Sequence, residues 1–494
     1  MLTTRPTLAK RLHFLLSASL AAAVLSCSTE SIDTPRVISV GRASAAKGGG
    51  TTGPSVASAS PTYGDEGTTI DVHVFGSGFA SGAQATWLLH GVADPTHVRT
   101  NKTTFISSTE IVANITIASD AQVALWDVQV ALAGGKNGVG SELFEVTSAQ
   151  VLGPGTTGGD ALVYGISELG QVVGNGRPSG TRTAFVYDDI SGMVALGPGE
   201  AWAIDPLGTI AVGRDGNLSA AAWVQQSAAT WTMEHLPTLP FSVNSHTTSA
   251  ARAADNTLLV GGADDSALST KPNTPDYNRP VVWRRSGGVW SMPQRYTLPS
   301  GALRGSVHSV NGNGQASGII DGFAAGAVWD NPTAVARLDG FGNSINPAGT
   351  LVVGEVPVSG FDRNTSNTVP VFWWRNPATG AWTTTGTRLP SLAGATCAFG
   401  KVHGINSAGI LVGTSCNSAG QIQATVWRLD FSGATPVLIA GPIGLPGLGP
   451  GPKNSQTTIS NAVAITDAAP YTIAGVAFAN GTTQLAVRWR FIIP

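Results

Sequence analysis

Residues 403–413 read HGINSAGILVG, and the chain says nearly the same thing again and again. Looser copies are YGISELGQVVG at 164–174, WAIDPLGTIAVG at 202–213 and HSVNGNGQASG at 308–318. Aligned on the closing glycine, seven copies end at Gly174, Gly213, Gly261, Gly318, Gly354, Gly413 and Gly475. The intervals run from 36 residues (318 to 354) to 62 residues (413 to 475). Self-similarity at this period means one supersecondary unit per copy. Such a unit cannot bury both its faces alone, so neighbours must stack.

The unit is legible residue by residue. A turn residue precedes the closing glycine by four or five positions: Gly170, Gly208, Gly314, Gly349 or Gly409, with Asn256 in the third copy and Pro470 in the seventh. An apolar residue stands four positions earlier (Ile166, Ile204, Val310, Ile345, Ile405). A polar turn-opener follows it: Ser167, Asp205, Asn311, Asn346 or Asn406. This reads as a β-hairpin around an Asn-x-x-Gly bend. A third strand then ends in an aromatic residue, at Tyr187, Trp223, Trp283, Trp329, Trp374, Trp427 and Trp489. A fourth apolar element often closes on Leu-Pro or Leu-Gly. Four strands per unit predict a propeller blade, and seven units predict a seven-bladed β-propeller over 149–494. The seventh unit lacks a fourth strand of its own. AQVLGPG (149–155) reads like MVALGPG (193–199), the fourth strand of the first unit. Residues 149–153 are therefore predicted to pair with the strand around 484–491 and close the array.

The phrase resembles the HAF-repeat family of bacterial extracellular proteins. That family's pattern runs Ala-x-x-Ile-Asn-x-x-Gly-x-x-Val-Gly, then Ala-Phe-x-Trp, then Leu-Gly-x-Leu. AWAIDPLGTIAVG and VHGINSAGILVG carry the first part and TAFVY the second. The resemblance covers 160–494 and implies no activity for any residue. The third copy, SAARAADNTLLVG, departs most.

Residues 56–148 have a different texture. Ile70, Val72 and Val74 alternate with polar residues, as do FISSTEIVANITI (105–117) and ALWDVQVAL (124–132). Several short alternating strands in one segment predict an immunoglobulin-like β-sandwich. Gly64, Gly67, Thr68, Gly76, Gly78, Phe79, Gly82 and Ala83, with Ser107 to Ala113 and Asp127 to Val130, resemble the IPT/TIG family. That resemblance implies a spacer or binding module.

The N-terminus predicts export. Arg5, Lys10 and Arg11 precede a short apolar run, Leu12 to Leu25, that ends in VLSC. Residues 1–27 thus read as a signal peptide, with Cys27 resembling the lipidated cysteine of bacterial lipoproteins. The expected destination is an outer-membrane-anchored lipoprotein or a secreted protein, with the membrane reached through a lipid anchor only. Residues 28–55, polar and Gly-rich, read as a flexible tether. Cys397 and Cys416 then remain, flank the sixth hairpin, and in an oxidising compartment predict a disulfide.

Chemistry is sparse. There is no Gly-x-Ser-x-Gly elbow, His-Glu-x-x-His pair or phosphate loop. Net charge is −2, which leaves no footprint for nucleic acid. No catalytic residue, metal ligand or cofactor is expected. His308 and His403 share a repeat position, six residues before the turn glycine, with Tyr164, Trp202 and Asn343. If the first strand of each hairpin is innermost, these five residues form a candidate binding ring. The expectation is a non-catalytic surface or secreted protein that binds a protein or glycan. The alternative is a propeller-fold hydrolase or lyase acting on polysaccharide.

Overall fold

The structure, a computed structural model, describes residues 53–491 except 119–120, 123, 154–159, 177–181, 241, 267–277, 322–324, 359–367, 446, 449–457, 470 and 480–482. The expected signal peptide, Cys27, most of the tether and Pro470 lie outside the described residues. Among the described residues the fold is all-β, built of several sheets and no helix.

Two facing sheets come first. One orders Ser55–Ser60, Thr69–Ser77, Glu110–Ile117 and Val98–Ser107; the other orders Val92–Ala93, Gln84–Leu89, Ala124–Ala131 and Asn137–Gly153. Side chains alternate across a strand. In EIVANITI that alternation buries Ile111, Ala113, Ile115 and Ile117 and turns their neighbours outward. Trp87, Trp126 and Phe144 fill the space between the sheets, with the Trp87 and Phe144 rings 4.7 Å apart.

Seven antiparallel sheets follow, each of four strands except the third, which has five. The first holds Ala161–Ile166, Val172–Gly176, Thr183–Asp188 and the start of Gly192–Ile204. The second takes the end of that strand, then Ile210–Asp215, Ala220–Ser227 and Thr230–His235. The third begins at Ser242–Arg252, the fourth at Gly305–Val310, the fifth at Phe341–Ile345, the sixth at Gly400–Ile405 and the seventh at Ser460–Ile465. The first strand of each sheet lies against the first strand of the next, and the seventh sheet's lies against the first sheet's. Apolar clusters fill the junctions. Val173, Val186, Ile204 and Trp223 join the first and second sheets, and Leu152, Val163, Phe185 and Val476 join the seventh and first.

The repeated phrase now has a physical cause. The turn-opener is buried and satisfies the bend from within. Asp205 Oδ1 accepts from the backbone N–H groups of Thr209 (2.7 Å) and Ile210 (2.6 Å). Asn346 and Asn406 serve their own bends in the same way. The turn residue needs a left-handed backbone, with φ from 68° to 79° at its glycines and 69° at Asn256. The closing glycine sits opposite a β-bulge, where the facing backbone comes too close for any side chain. A Cβ at Gly354 would lie 1.8 Å from the Phe341 carbonyl oxygen.

Two alignments need correction. In the third copy the bulge faces Gly262, where a Cβ would meet His246 O at 2.1 Å, and not Gly261. In the fifth copy the buried aromatic is Trp373, not Trp374. One register explains both. The aromatic always pairs with the residue two before the bulge glycine, as in Val172↔Tyr187, Val260↔Trp283 and Val352↔Trp373. Adjacent duplicates, Gly-Gly and Trp-Trp, hide this register in the sequence.

The aromatic is also a staple between units. Indole N–H groups of Trp223, Trp283, Trp329 and Trp427 donate to the carbonyls of Leu196, Pro237, Thr297 and Pro390, at 2.7–3.0 Å. Each acceptor belongs to the Leu-Pro or Leu-Gly element that leaves the preceding sheet. Trp373 uses the Asp339 carboxylate at 2.9 Å instead.

The expected boundary at 148/149 is crossed by one unbroken strand, Asn137–Gly153. Its first part pairs with Ala124–Ala131, from Asn137↔Ala131 to Val146↔Ala124. Its end pairs with Thr483–Phe491, through Ala149↔Trp489, Val151↔Val487 and Gly153↔Ala486. The two-sheet module therefore supplies the fourth strand of the seventh repeat sheet. Arg488 reinforces the junction, donating to Gln150 Oε1 (2.6 Å), Gly170 O (2.8 Å) and Asp189 Oδ1 (2.6 Å).

Cys397 and Cys416 are bonded, with Cα atoms 5.7 Å apart and a separation of 19 positions in sequence. Chain-entropy reasoning gives such a loop about 3 kcal/mol. Cys397→Ser is expected to lower the free energy of unfolding by about that amount, read as a lower denaturant midpoint. Equal midpoints for the variant and the oxidised protein would refute a structural role for the bond.

Candidate functional site

The site arises from the bulges. Each places one extra residue in the first strand of its sheet, and a bulge re-aims that side chain. The extra residues are Tyr164, Trp202, His308, Asn343 and His403, the five positions read from the sequence. Thr248 and Val463 hold the place in the third and seventh sheets. The sequence spacing missed Thr248 because it precedes Asn256 by eight residues rather than six. All seven side chains are half-buried. Since the first strands adjoin in order, these residues occupy one level.

Contacts run from sheet to sheet along that level. The Tyr164 and Trp202 rings meet edge-on at 6.3 Å, and Trp202 meets His246 at 5.2 Å. The Thr248 hydroxyl donates to the Val307 carbonyl. His308 is hydrogen-bonded to Asn343, whose Nδ2 donates to Val402 O at 2.9 Å. His246, two residues before Thr248 and at the register of Glu200 and Lys401, joins this level although no other sheet has a histidine there.

Burial keeps the imidazoles neutral. His246 is pushed down to about 4 by burial, then by His308 and by Arg214. His308 is pushed down to about 4 by burial, against a hydrogen bond to Asn343 that raises it. His403 is pushed down to about 3 by burial and by Lys401. Near pH 7 these rings act as neutral hydrogen-bonding groups.

Charge is concentrated in the second sheet. The Glu200 carboxylate is buried and takes ion pairs from Arg182 and from Arg214 Nε, the latter at 2.8 Å. The Arg214 guanidinium also lies over Trp202, 5.0 Å from the ring centre. Asn175 Nδ2 donates to Glu200 Oε1 (3.4 Å) and to the Tyr164 hydroxyl (3.3 Å). The Tyr164 hydroxyl is pushed up by burial and then by Glu200. Lys401 stands two residues before His403 in the sixth sheet. His403 Nε2, Asn175 Oδ1 and Asn461 Oδ1 are buried without a protein partner.

Among the described residues no group of three or more His, Cys, Asp or Glu is placed to hold a metal. A cavity of about 400 Å³, lined by Arg279, Arg295, Tyr296, Thr297, Leu298 and Ala302, sits by the outer strands of the third sheet. None of the ring residues lines it.

No family model and no curated protein matches this chain. Solved structures show a distant likeness. An auxiliary nutrient binding protein from Bacteroides ovatus is 13% identical with TM-score 0.30, over 89% of this chain and 97% of that one. A catalytically inactive virginiamycin B lyase from Staphylococcus aureus with quinupristin is 13% identical with TM-score 0.38, over 70% and 100%. A Hadza microbial sialidase is 10% identical with TM-score 0.33, over 78% of each chain. At these scores the three are similar in being β-rich, and they assign this chain no function.

Proposed function

We propose that the seven repeat sheets are the blades of a seven-bladed β-propeller of HAF-like repeats, carried on an IPT/TIG-type immunoglobulin-like module. In this reading the chain is an exported, non-catalytic binding protein, anchored through Cys27 or secreted. Its ligand is a glycan or protein met outside the cytoplasm. The observation that carries the reading is the level set of bulge residues, Tyr164, Trp202, Thr248, His308, Asn343, His403 and Val463. A bulge kept in every unit costs ladder hydrogen bonds, and it turns one varied side chain per sheet to a common centre. The Cys397–Cys416 bond fits an oxidising compartment. A hydrolase or lyase needs a group free to exchange a proton. Glu200, held by two guanidinium groups, favours recognition over that chemistry.

The test is a glycan and surface-protein array probed with the full chain, followed by Trp202→Ala, His308→Ala and His403→Ala. Binding is expected to weaken about tenfold or more in at least one variant, which is about 1.4 kcal/mol, with the melting temperature retained. A ligand whose affinity ignores all three variants would refute the ring as the site. Release of reducing ends from a polysaccharide by the pure chain would refute the non-catalytic part.

A further inference from the structure

The ring is not uniform in hydrogen bonding. From the third to the sixth sheet the ring consumes most of its own capacity: Thr248 serves Val307, His308 meets Asn343, and Asn343 serves Val402, with the hydroxyls of Ser249 and Ser317 left without partners. From the sixth sheet round to the second it does not. There His403 Nε2, Asn461 Oδ1 and Asn175 Oδ1 lack partners. The Asn175 oxygen is correctly assigned, because its amide nitrogen faces the Glu200 carboxylate and must be the donor. Buried polar atoms without partners are costly, so three in one arc mark a place where a ligand supplies them.

Charge is also unbalanced in this arc. Arg182 and Arg214 share one carboxylate, Glu200, so their pairing leaves one positive charge over. Lys401 is hydrogen-bonded to nothing among the described residues, and its charge is felt at His403. Glu355 of the fifth sheet, which stands across from Phe341 as Arg214 stands across from Glu200, accepts from the Thr368 hydroxyl, which also meets Gly400 O beside Lys401; with this carboxylate counted, Arg182, Arg214 and Lys401 still outnumber Glu200 and Glu355 by one charge. The imidazoles are neutral and add no charge near pH 7.

Two demands therefore fall within one arc of the ring. The cations ask for an anion, whereas the amide oxygens of Asn175 and Asn461 ask for hydrogen-bond donors. A bare inorganic anion meets only the first, and a neutral polyol only the second. We propose that the arc from Lys401 to the Arg214–Glu200 pair binds a hydroxylated carboxylate, the chemistry of an acidic sugar. This rests on the reading of the ring as a ligand site and names the class of its ligand. The carboxylate is received by Lys401 and the guanidinium groups, and ring hydroxyls supply the amide oxygens. The aromatic edge of Tyr164 and Trp202 packs against the apolar face of the sugar.

The test is calorimetric titration of the full chain near pH 7, at about 0.15 M salt so that non-specific attraction is screened. The probes are a galacturonate trimer, a neutral glucose trimer and sodium acetate. The uronate is expected to bind at least roughly tenfold tighter than the neutral trimer, and acetate to compete weakly. Lys401→Gln, a change at a half-buried side chain that leaves Glu200 paired, is expected to remove most of that preference. Asn461→Ala is expected to weaken the uronate without affecting acetate. Equal affinity for both trimers, or a preference untouched by Lys401→Gln, overturns the acidic-sugar proposal and leaves the ring reading standing. Acetate competing as well as the uronate overturns the hydroxyl part. Uronate binding that follows Lys401 yet ignores Trp202→Ala and His308→Ala overturns the ring reading itself.

Discussion

Removal of residues 149–155 is expected to destabilise the whole repeat array, not only its seventh sheet. The strand end that would be lost pairs with Thr483–Phe491 from Ala149↔Trp489 to Gly153↔Ala486. Leu152, 5% exposed, sits in the cluster that joins the seventh sheet to the first. Gln150 is the partner that holds Arg488, itself only 3% exposed, in its bridge to Gly170 and Asp189. Losing one core leucine costs about 2–5 kcal/mol, and each buried hydrogen bond left unmade adds about 1–3 kcal/mol. The total therefore exceeds 5 kcal/mol by rough addition, a large fraction of the stability of any domain. The Thr483–Phe491 strand would also become an open edge beside buried Trp489 and Val487, a template for aggregation. Thermal unfolding by circular dichroism reads the outcome, with Gln150→Ala as a milder step in the same direction. A deletion variant that melts at the wild-type temperature would refute the closure.

The second large effect is expected from a single methyl group. Gly354→Ala places a Cβ 1.8 Å from Phe341 O and 3.2 Å from Asn343 N, both backbone atoms of the facing strand. Neither can swing aside as a side-chain tip would, so the bulge must open. About 3 kcal/mol or more should be lost. The same bulge aims Asn343, whose hydrogen bond to Val402 O links the fifth and sixth sheets, so ligand affinity should fall together with stability. Gly134→Ala is the control. A Cβ there meets nothing within 4 Å and the backbone is not left-handed, so the change should be neutral or slightly stabilising. Equal melting temperatures for the two variants would show that the bulge glycine is not sterically required.

Much of the repeat unit could be read directly. The hairpin, its Asn-x-x-Gly bend and the aromatic third strand each rest on local chemistry: a left-handed turn position, a side chain that satisfies its own bend, and an alternation of period two. The bond between Cys397 and Cys416 and the strand pairing of 149–153 with 484–491 were legible for a related reason. The bond follows from two leftover cysteines that flank one hairpin, and the pairing from counting the strand that the first unit has spare and the last lacks. The five bulge residues were legible because they share one offset from the turn glycine.

What the sequence withheld is whatever depends on register between strands or on neighbours in other sheets. Gly261 and Gly262 are equivalent as letters, as are Trp373 and Trp374, and only cross-strand pairing shows which member faces the bulge or the core. His246 and Thr248 escaped because the third hairpin is longer, which shifts their offset while leaving their place in the ring. Glu200, Arg214 and Asn175 stand at repeated registers, but residue type varies there from sheet to sheet, so no pattern of letters marks them, and their meeting with Trp202 and Tyr164 needs two adjacent sheets. The boundary at 148/149 dissolved for the same reason: one strand can satisfy two sheets at once, and nothing in its residues says so. The sequence by itself determined the unit, its number and its turn chemistry, since these are set by backbone conformations that few residues tolerate. The tertiary structure alone decided the ring and its unbalanced arc of cations and unpartnered amides, because those are properties of the space between sheets.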